Sequence, residues 1–541
     1  MSEVKGVCEM SDVIIACMGL DSSLEGEEGD EGNEFASGDK PNLNLPGLQQ
    51  EVLEAIYASG KPVVLVLLSG SALAVSWADE HIPAIIQGWY PGAQGGRALA
   101  SVLFGDYSPE GKLPVTFYRT TEELPDFTDY SMKGRTYRYM TQKALYPFGY
   151  GLSYTDFTQE FEGEPEFNVS TDPETGVCDA TAVFHVKVTN TGDMAGKSIV
   201  QIYGQAPYTE GGVEKSAVQL LNFGKTDTLK PGESQVVSVE VDLQYIASYD
   251  NTYDNGDGTV GTYILDPGTY YFAMGNGAHD ALNHMMARQG ADPESLSGES
   301  NSAMAYEHKI TEDFISSTAF SVSKTGEKIS NQLDYADWNY FQPGEVTYLS
   351  RTDWAGTYPK SYTDMTLVNE ELINLLNGNY YTIQTDDDTS GITWGKDSNL
   401  MFYEMYGTDF DDAKWQDLLD KMTLEEAQYL ATFGGPSIPG VSSIGTVETY
   451  MTENAGNGVA VNLNASKDTG APWSISASDP NGNWHPEVFA NAPLVAASFN
   501  QDLYKEVGSF IGEEALFTGI PILWGPGLNT HRHAYNGRNG E

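Results

Sequence analysis

The sequence predicts a multidomain α/β protein in which a doubly wound α/β layer comes first, a β-sandwich follows, and the opening of a β/α barrel comes last. Three observations predict it. Short apolar runs alternate with amphipathic helical stretches from Asp12 to about residue 105, the hydrophobic period changes to two from about residue 160, and a helical period returns at Asp411 ahead of a short strand and a Gly-rich loop.

Asp12 to Gly19 (DVIIACMG) is an apolar run of the kind buried on both faces of a parallel sheet, and VVLVLLSG at 63–70 is a second. Between them PGLQQEVLEAIYAS at 46–59 reads as a helix with Leu48, Val52 and Ile56 on one face, which completes a βαβ unit. AIIQGWYPG at 84–92 adds a strand and GGRALASVLFG at 95–105 a helix. Ligands of such sheets bind beyond the carboxyl ends of the strands. The loop leaving the first strand, Leu20 to Leu45, runs LDSSLEGEEGDEGNEFASGDKPNLNL, and a strongly acidic connection of that length is functional or disordered.

In the second segment Phe184, Val186 and Val188 alternate with His185 and Lys187, TNTGDMAG at 189–196 supplies a turn, and Val237, Val239, Val241 and Leu243 alternate again after LKPGES. LDPGTYYFAMGNG at 265–277 closes a set of short strands that fits a small sandwich. Residues 281–410 show little sustained period and are expected to be a connecting region packed along its neighbours. After Asp411, Trp415, Leu418, Leu419 and Met422 share a helical face, and Thr423 with Glu426 makes a capping box for the next helix. In QDLYKEVGSFIGEEALFTG at 501–519, Leu503, Val507, Phe510 and Ile511 are expected to face inward, and the strand IPILWGPG follows. Helix, strand and Gly-rich loop are the repeating parts of a β/α barrel, whose functional loops follow its strands. The boundaries expected are therefore 1–160, 161–280, 281–410 and 411–541.

Composition narrows the function. The chain has 541 residues, 40% of them hydrophobic, which is enough for three or so cores. With 28 Lys and Arg against 77 Asp and Glu the formal charge is −49, and such a surface repels phosphate backbones, so nucleic acid is not an expected partner. No membrane span is expected either, because the longest apolar run, Val63 to Val75, is interrupted by Ser69, Gly70 and Ser71. No signal peptide is visible at Met1, so location stays open between cytoplasm and exterior. Three cysteines, Cys8, Cys17 and Cys178, with no CxxC, argue against a disulfide framework or structural zinc. Histidines 531 and 533 are adjacent loop residues with no third ligand in view, and DNGDGT at 254–259 lacks the acid or Asn that a calcium loop would need at Tyr253. No metal and no cofactor are expected.

Several stretches resemble glycoside hydrolase family 3. GWYPGAQGGRALASVLFGDYSPEGKLPVTF at 88–117 and YPFGYGLSYTDF at 146–157 look like its α/β sandwich domain, and VTNTGDMAGKSIVQIYGQAP at 188–207 with LKPGES looks like its fibronectin type III-like domain. KMTLEEAQYL and GEEALFTGIPILWGPGLNTHR look like the opening of its TIM-type barrel. The order, with the α/β domain before the barrel, resembles the β-glucosidases of the family that are permuted in this way. What the resemblance implies is exo-acting, retaining hydrolysis of terminal β-linked glucose from short oligosaccharides or glycosides. A β-xylosidase of the same family and a non-catalytic carbohydrate-binding or adhesion module are the alternatives.

Retaining hydrolysis uses two carboxyl groups, a nucleophile and an acid that then serves as base. In the family the nucleophile is a barrel Asp and the acid/base is often a Glu in a GEG-type loop of the α/β domain. The matching loop here is LEGEEGD, which puts Glu27 in the acid/base place and leaves Glu25 and Glu28 open as alternatives. Neighbouring negative charge suits such an acid by raising its pKa. Arg538 in NGRN resembles the family's sugar-binding arginine, and Arg532 lies in the same loop. Where the family has a sugar-gripping Asp in a DGP motif this chain reads MTENAGNGV, so Asn454 takes that place with Glu453 beside it. The resemblance also implies a chain that is partial at both ends. Family domains carry further elements before the strand matched by DVIIACMG, which leaves an open sheet edge and a homo-oligomer open as a partner. A barrel takes about 250 residues, so the nucleophile Asp is expected beyond Glu541, and the chain alone is not expected to turn over substrate.

Overall fold

A computed structural model describes the chain apart from residues 1, 22–23, 26–38, 128–131, 141, 312–319, 342, 345–349, 351–369, 371–372, 375–390, 435–436, 454–487, 519, 528–529 and 536–541. Two compact units divide it: Met1–Tyr358 with Phe489–Tyr504 and Leu528–Glu541, and Pro359–Val488 with Lys505–Gly527.

The first unit opens on helix α1 (Ser2–Met10) and a parallel sheet of β1 (Ile14–Gly19), β2 (Val63–Leu68) and β3 (Ala84–Gln87). Helices α2 (Gln49–Tyr57) and α3 (Ser76–His81) are the crossovers, and α4 (Gly95–Leu103) follows. Leu53 and Ile56 of α2 and Ala78 of α3 pack in one cluster with Ile14, Ala16, Met18, Val63, Leu65 and Leu67. Both crossovers therefore cover the same face, as right-handed connections between strands in the order β1-β2-β3 require. The reversal of order that a doubly wound sheet needs is not present among the described strands, and on the other face Ile15 and Cys17 of β1 are exposed. Leu48, expected on the buried face of α2, instead precedes the helix and is 64% exposed; Leu53 is the residue that fills the core.

Next in the same unit comes the sandwich. One sheet has β6 (Cys178–Asn190) at its centre, with β4 (Phe157–Phe161) and β5 (Glu166–Thr171) sharing one edge and β9 (Ser234–Asp242) on the other. The second sheet runs β13-β12-β7-β8, from Ala305–Ile310 through Gly268–Met274 and Ile199–Gln205 to Gln219–Lys225. Strict alternation along β6 places Phe184, Val186 and Val188 in the core at 0% exposure, with Val237, Val239 and Val241 opposite on β9. Strand β13 and helix α5 (Ala278–Arg288) carry this body past residue 280, since Ala281 and Met285 pack on Tyr203 and Ala305. Strands β10 (Ser248–Asp254) and β11 (Val260–Ile264) form a hairpin. Its tip is DNGDGT, with Gly256 and Gly258 at φ of 78° and 88°, and Asp257 takes an ion pair from Lys328 at 2.6 Å, which holds its carboxyl well below the usual range. The motif is thus a turn with its acid already paired.

Residues 489–504 are fastened to this unit. Asn491 N–H donates to Tyr90 O at 3.0 Å, Lys112 N–H to Ala497 O at 2.8 Å, and Lys225 Nζ bridges Glu110 at 2.8 Å and Ser498 O at 3.0 Å. The second unit holds a small sheet of β14 (Ser437–Ile438), β15 (Thr449–Glu453) and β16 (Ile522–Trp524), in which β15 and β16 run parallel. Met405, Leu418, Met422, Val441 and Ile444 make its core, and the helix Leu424–Phe433 is closed by the reciprocal Thr423–Glu426 box. Two helical faces differ from the periodic reading: Leu419, Leu503 and Phe510 are exposed, whereas Leu418, Met422 and Ile511 are buried. The helix Gln501–Thr518 leaves Leu503, Tyr504, Phe510 and Leu516 exposed, so a helical period alone did not locate its buried face.

Candidate active site

The site is built where β1, β2 and β3 end. At the end of β1, Gly19 is fixed from both sides by the Gln49 amide, which accepts from Gly19 N–H at 2.8 Å and donates to its carbonyl at 2.9 Å. Gly19 has φ of 138°, and a Cβ there would lie 1.9 Å from Leu68 O, so no other residue lets β1 and β2 finish side by side. The chain then turns at Asp21, whose carbonyl accepts from Leu24 N–H and Glu25 N–H at 3.0 and 2.9 Å, and this returns Glu25 to the strand ends.

Both oxygens of Glu25 are taken. Oε2 accepts from Gly70 N–H at 2.7 Å and from the Tyr90 hydroxyl, and Oε1 accepts from the Ser71 hydroxyl. The approach needs glycine at 70, where a Cβ would meet Tyr90 Cε2 at 2.9 Å and Glu25 Oε2 at 3.0 Å. Lys40, 2% exposed, donates to Ser71 Oγ at 2.5 Å and Ala72 O at 2.8 Å. Burial holds the Lys40 ammonium down to about 8, with the charges of Glu25 and Asp39 opposing that shift. Burial, and then the Glu25 charge, push the Tyr90 phenol well above its ordinary value, so it stays a donor.

Gly70 and Ser71 also line a cavity of about 510 Å³, within the usual range for a small-molecule site. Its walls include Trp89, Thr116, Tyr118, Tyr137, Arg138, Phe148, Arg532 and His533. Trp89 is buried and edge-on to Phe117 at 6.1 Å, Tyr137 stacks on Phe148 at 4.3 Å, and Arg138 Nη2 is steadied by Gln219 Oε1 at 3.1 Å. The Thr116 hydroxyl is buried and has no hydrogen-bond partner among the described residues, which leaves an unused polar atom in a wall that includes five Trp, Tyr and Phe residues. Arg532 donates to Phe127 O at 3.0 Å with its guanidinium 5.3 Å above the Phe127 ring. His533 Nδ1 accepts from Tyr535 N–H at 3.3 Å, which assigns the ring proton to Nε2, 3.2 Å from Pro125 O. Burial holds this imidazole down to about 4, so it is neutral near pH 7. Among the described residues no group of three or more His, Cys, Asp or Glu is placed to hold a metal ion.

Of the residues singled out in the sequence, Glu25, Arg532 and the backbone of Glu453 are described, and Gly70 and Ser71, two partners of Glu25, line the same cavity as Arg532. Glu27, Glu28, Asn454 and Arg538 lie outside the described residues. Glu453 ends β15 in register with Trp524. Lys40, Ser71, Tyr90 and Thr116 were not anticipated as site residues. The run GDKPN around Lys40 reads as turn chemistry, and the partners of Glu25 lie 45 to 65 positions along the chain, beyond any local pattern.

Comparison with known proteins gives the site a context. Residues 1–154 match the family model described as glycosyl hydrolase family 3 C-terminal domain, and residues 198–278 match the fibronectin type III-like domain. A xylan 1,4-β-xylosidase of Xylanibacter ruminicola is 40% identical over 283 residues, which are 52% of this chain and 30% of that protein. A β-glucosidase of Ruminococcus albus is 28% identical over 559 residues, covering 100% of this chain and 50% of its own length. The solved β-glucosidase of Paenibacillus barengoltzii superposes with a TM-score of 0.63 at 22% identity, covering 100% of this chain and 53% of the other, a likeness of fold. The chain thus spans about a third to a half of the length of these relatives.

Proposed function

This chain belongs to glycoside hydrolase family 3, and on that premise we propose that the protein is an exo-acting, retaining β-glycosidase that removes terminal β-linked glucose from short oligosaccharides or glycosides. In this reading the residues from 411 onward are the first part of a β/α barrel that follows the α/β and fibronectin type III-like domains. The parallel pairing of β15 and β16 across an intervening helix, and the likeness along the whole chain to β-glucosidases, support that order. The observation that carries the functional reading is the seat of the acidic loop. Glu25 and Lys40, on either side of its acidic stretch, are bound at the carboxyl ends of parallel strands, beside a ligand-sized cavity that Arg532 also lines.

The roles follow from what retaining chemistry needs. Glu27 supplies the proton to the leaving-group oxygen and then takes one from water, with Glu25 and Glu28 as the alternatives on the same loop. Arg538 and Arg532 donate to sugar hydroxyls, and Asn454 and Glu453 take the place next to the sugar at the end of the first barrel strand. The nucleophile is an Asp of the barrel. A second reading, β-xylosidase, is favoured by the xylosidase relative at 40% identity.

The test is nitrophenol release from aryl β-glucoside and aryl β-xyloside, run on the chain alone and on the chain extended through a complete barrel. The expected result is activity of the extended protein, faster on the glucoside, that Glu27→Gln lowers by about 10³-fold or more. Faster xyloside cleavage moves the substrate to β-xylosides. A folded extended protein that binds oligosaccharide but releases nothing from either substrate makes it a carbohydrate-binding module and overturns the enzymatic reading.

A further inference from the structure

Glu25 and Lys40, which bracket the acidic stretch, meet on one hydroxyl group. Lys40 Nζ donates to Ser71 Oγ at 2.5 Å, and Ser71 gives its own hydrogen to Glu25 Oε1, so residues 25 and 40 are joined through residue 71 by two hydrogen bonds that point the same way. A hydroxyl that accepts from an ammonium is a better donor to a carboxylate, so the two bonds reinforce each other. Tyr90 and Gly70 close the other oxygen of Glu25, and Lys40 is held a second time by Ala72 O at 2.8 Å.

These contacts separate Glu25 from the proton-transfer role. Among the described residues it accepts from a backbone N–H and two hydroxyls, with an ammonium behind one of them. These bonds fix the orientation of the Glu25 carboxylate toward residues 70, 71 and 90, whereas a general acid must aim its proton at the leaving-group oxygen. Burying Lys40 at 2% exposure costs free energy unless the charge is compensated, and the clasp supplies part of that compensation. We propose that Glu25, Ser71 and Lys40 form a clasp at the neck of the acidic loop, with Glu25 and Lys40 as positioning residues that hold the loop's general acid/base in place. The proposal rests on the reading that the acid/base is carried by this loop. Pinning residues 25 and 40 to residue 71 closes the connection between them and lowers its loop entropy, and a misplacement of about 1 Å in a catalytic group costs on the order of 10²-fold in rate.

The experiment compares Glu25→Gln, Glu25→Ala, Ser71→Ala and Tyr90→Phe in the barrel-complete enzyme by three measurements. These are kcat and KM on a nitrophenyl β-glycoside, product formation with added azide, and amide hydrogen exchange over residues 26–39. Azide reports directly on the acid/base. When that residue is missing, azide attacks the anomeric carbon of the glycosyl-enzyme, the bond to the nucleophile carboxylate breaks, and a β-glycosyl azide leaves without needing a base. Glu25→Gln and Ser71→Ala are expected to lower kcat by about 10- to 100-fold, with KM changed far less, and Tyr90→Phe, which removes one donor and keeps the ring, less than either. Exchange over 26–39 is expected to quicken by about tenfold while β1 and β2 keep their protection, and Glu25→Ala should form no glycosyl azide. Azide rescue of Glu25→Ala would make Glu25 the acid/base and overturn the proposal, as would unchanged exchange over 26–39 in all four variants. Azide rescue of Glu27→Ala or Glu28→Ala is the expected counterpart. Its failure in both, with Glu25→Ala also unrescued, would remove the acid/base from this loop and refute the functional assignment, while the exchange data decide the clasp on their own.

Discussion

In the sandwich, Phe184, Val186 and Val188 are fully buried, and His185 and Lys187 between them lie on the outer face of β6. In the α/β layer, fully or almost fully buried residues include Lys40 and Arg135, alongside Leu53 and Leu65. Where the sandwich buries a cation, Lys215, it is paired with Asp266 and fixed to Pro207 O at 2.7 Å. At the strand ends of the α/β layer the buried ammonium reaches its carboxylate only through a serine, and a cavity opens beside them. A dry apolar core stabilises at little electrostatic cost, whereas a buried charge is kept where its position matters more than its contribution to stability. The contrast fits the proposed function, in which the sandwich supports and the strand ends carry the chemistry.

The strongest way to break that contrast is to damage the sandwich core. Phe184 is 0% exposed and packs against Phe161, Phe167 and Phe272, with ring centroids 5.3 to 6.2 Å away. Phe184→Ala is expected to cost about 3–5 kcal/mol, read from urea unfolding. A loss below about 1 kcal/mol would mean that this ring does not anchor the core.

Legibility in the sequence divides along the same line. The sandwich was readable because its core repeats every second residue, and β6 and β9 keep that period without a break. The runs at 14–19 and 63–68 were readable as buried strands because they are almost wholly apolar. Strand β13, AYEHKI, was not, since only its terminal Ala305 and Ile310 are buried and the residues between carry charge or polar groups. The same limit applies to the helix 501–518, where Leu503 and Phe510 satisfy the helical period yet stay exposed. In the site, the acidic loop and the loop of Arg532 were visible as local runs. The clasp was not, because its meaning depends on Ser71 and Tyr90, which sequence spacing does not connect to Glu25.

A smaller effect sharpens the comparison through pH. The Lys40 ammonium is held down to about 8 by burial, against 10.5 for the free group, so between those values the unfolded chain binds more protons than the folded one. Stability should therefore rise with pH through that window, by up to roughly 3 kcal/mol from this residue. Tyr90 acts in the opposite sense above pH 10, because its raised pKa lets the unfolded chain release the proton first. Burial holds Lys112 down to about 8 as well, so urea unfolding between pH 7.5 and 9.5 reads both lysines, and Lys40→Met should remove its own share of the slope. An equal slope in the variant would show that Lys40 is not buried as a charge.

The smallest effect is expected on the outer face of the sandwich. Lys187 and Glu160 stand directly opposite across β4 and β6, 3.2 Å apart, with side chains 41% and 65% exposed. Water screens such a pair, and holding two long side chains in register costs entropy that offsets most of the attraction, so exposed pairs contribute about 0.2–1 kcal/mol. Lys187→Met is expected to lower stability by no more than about 0.5 kcal/mol, and the difference should vanish in 1 M salt, where the screening length falls to about 3 Å. A salt-insensitive loss of about 2 kcal/mol or more would indicate a structural charge on the sandwich as well. The division between a supporting sandwich and a chemically active strand end would then have to rest on the cavity and the clasp alone.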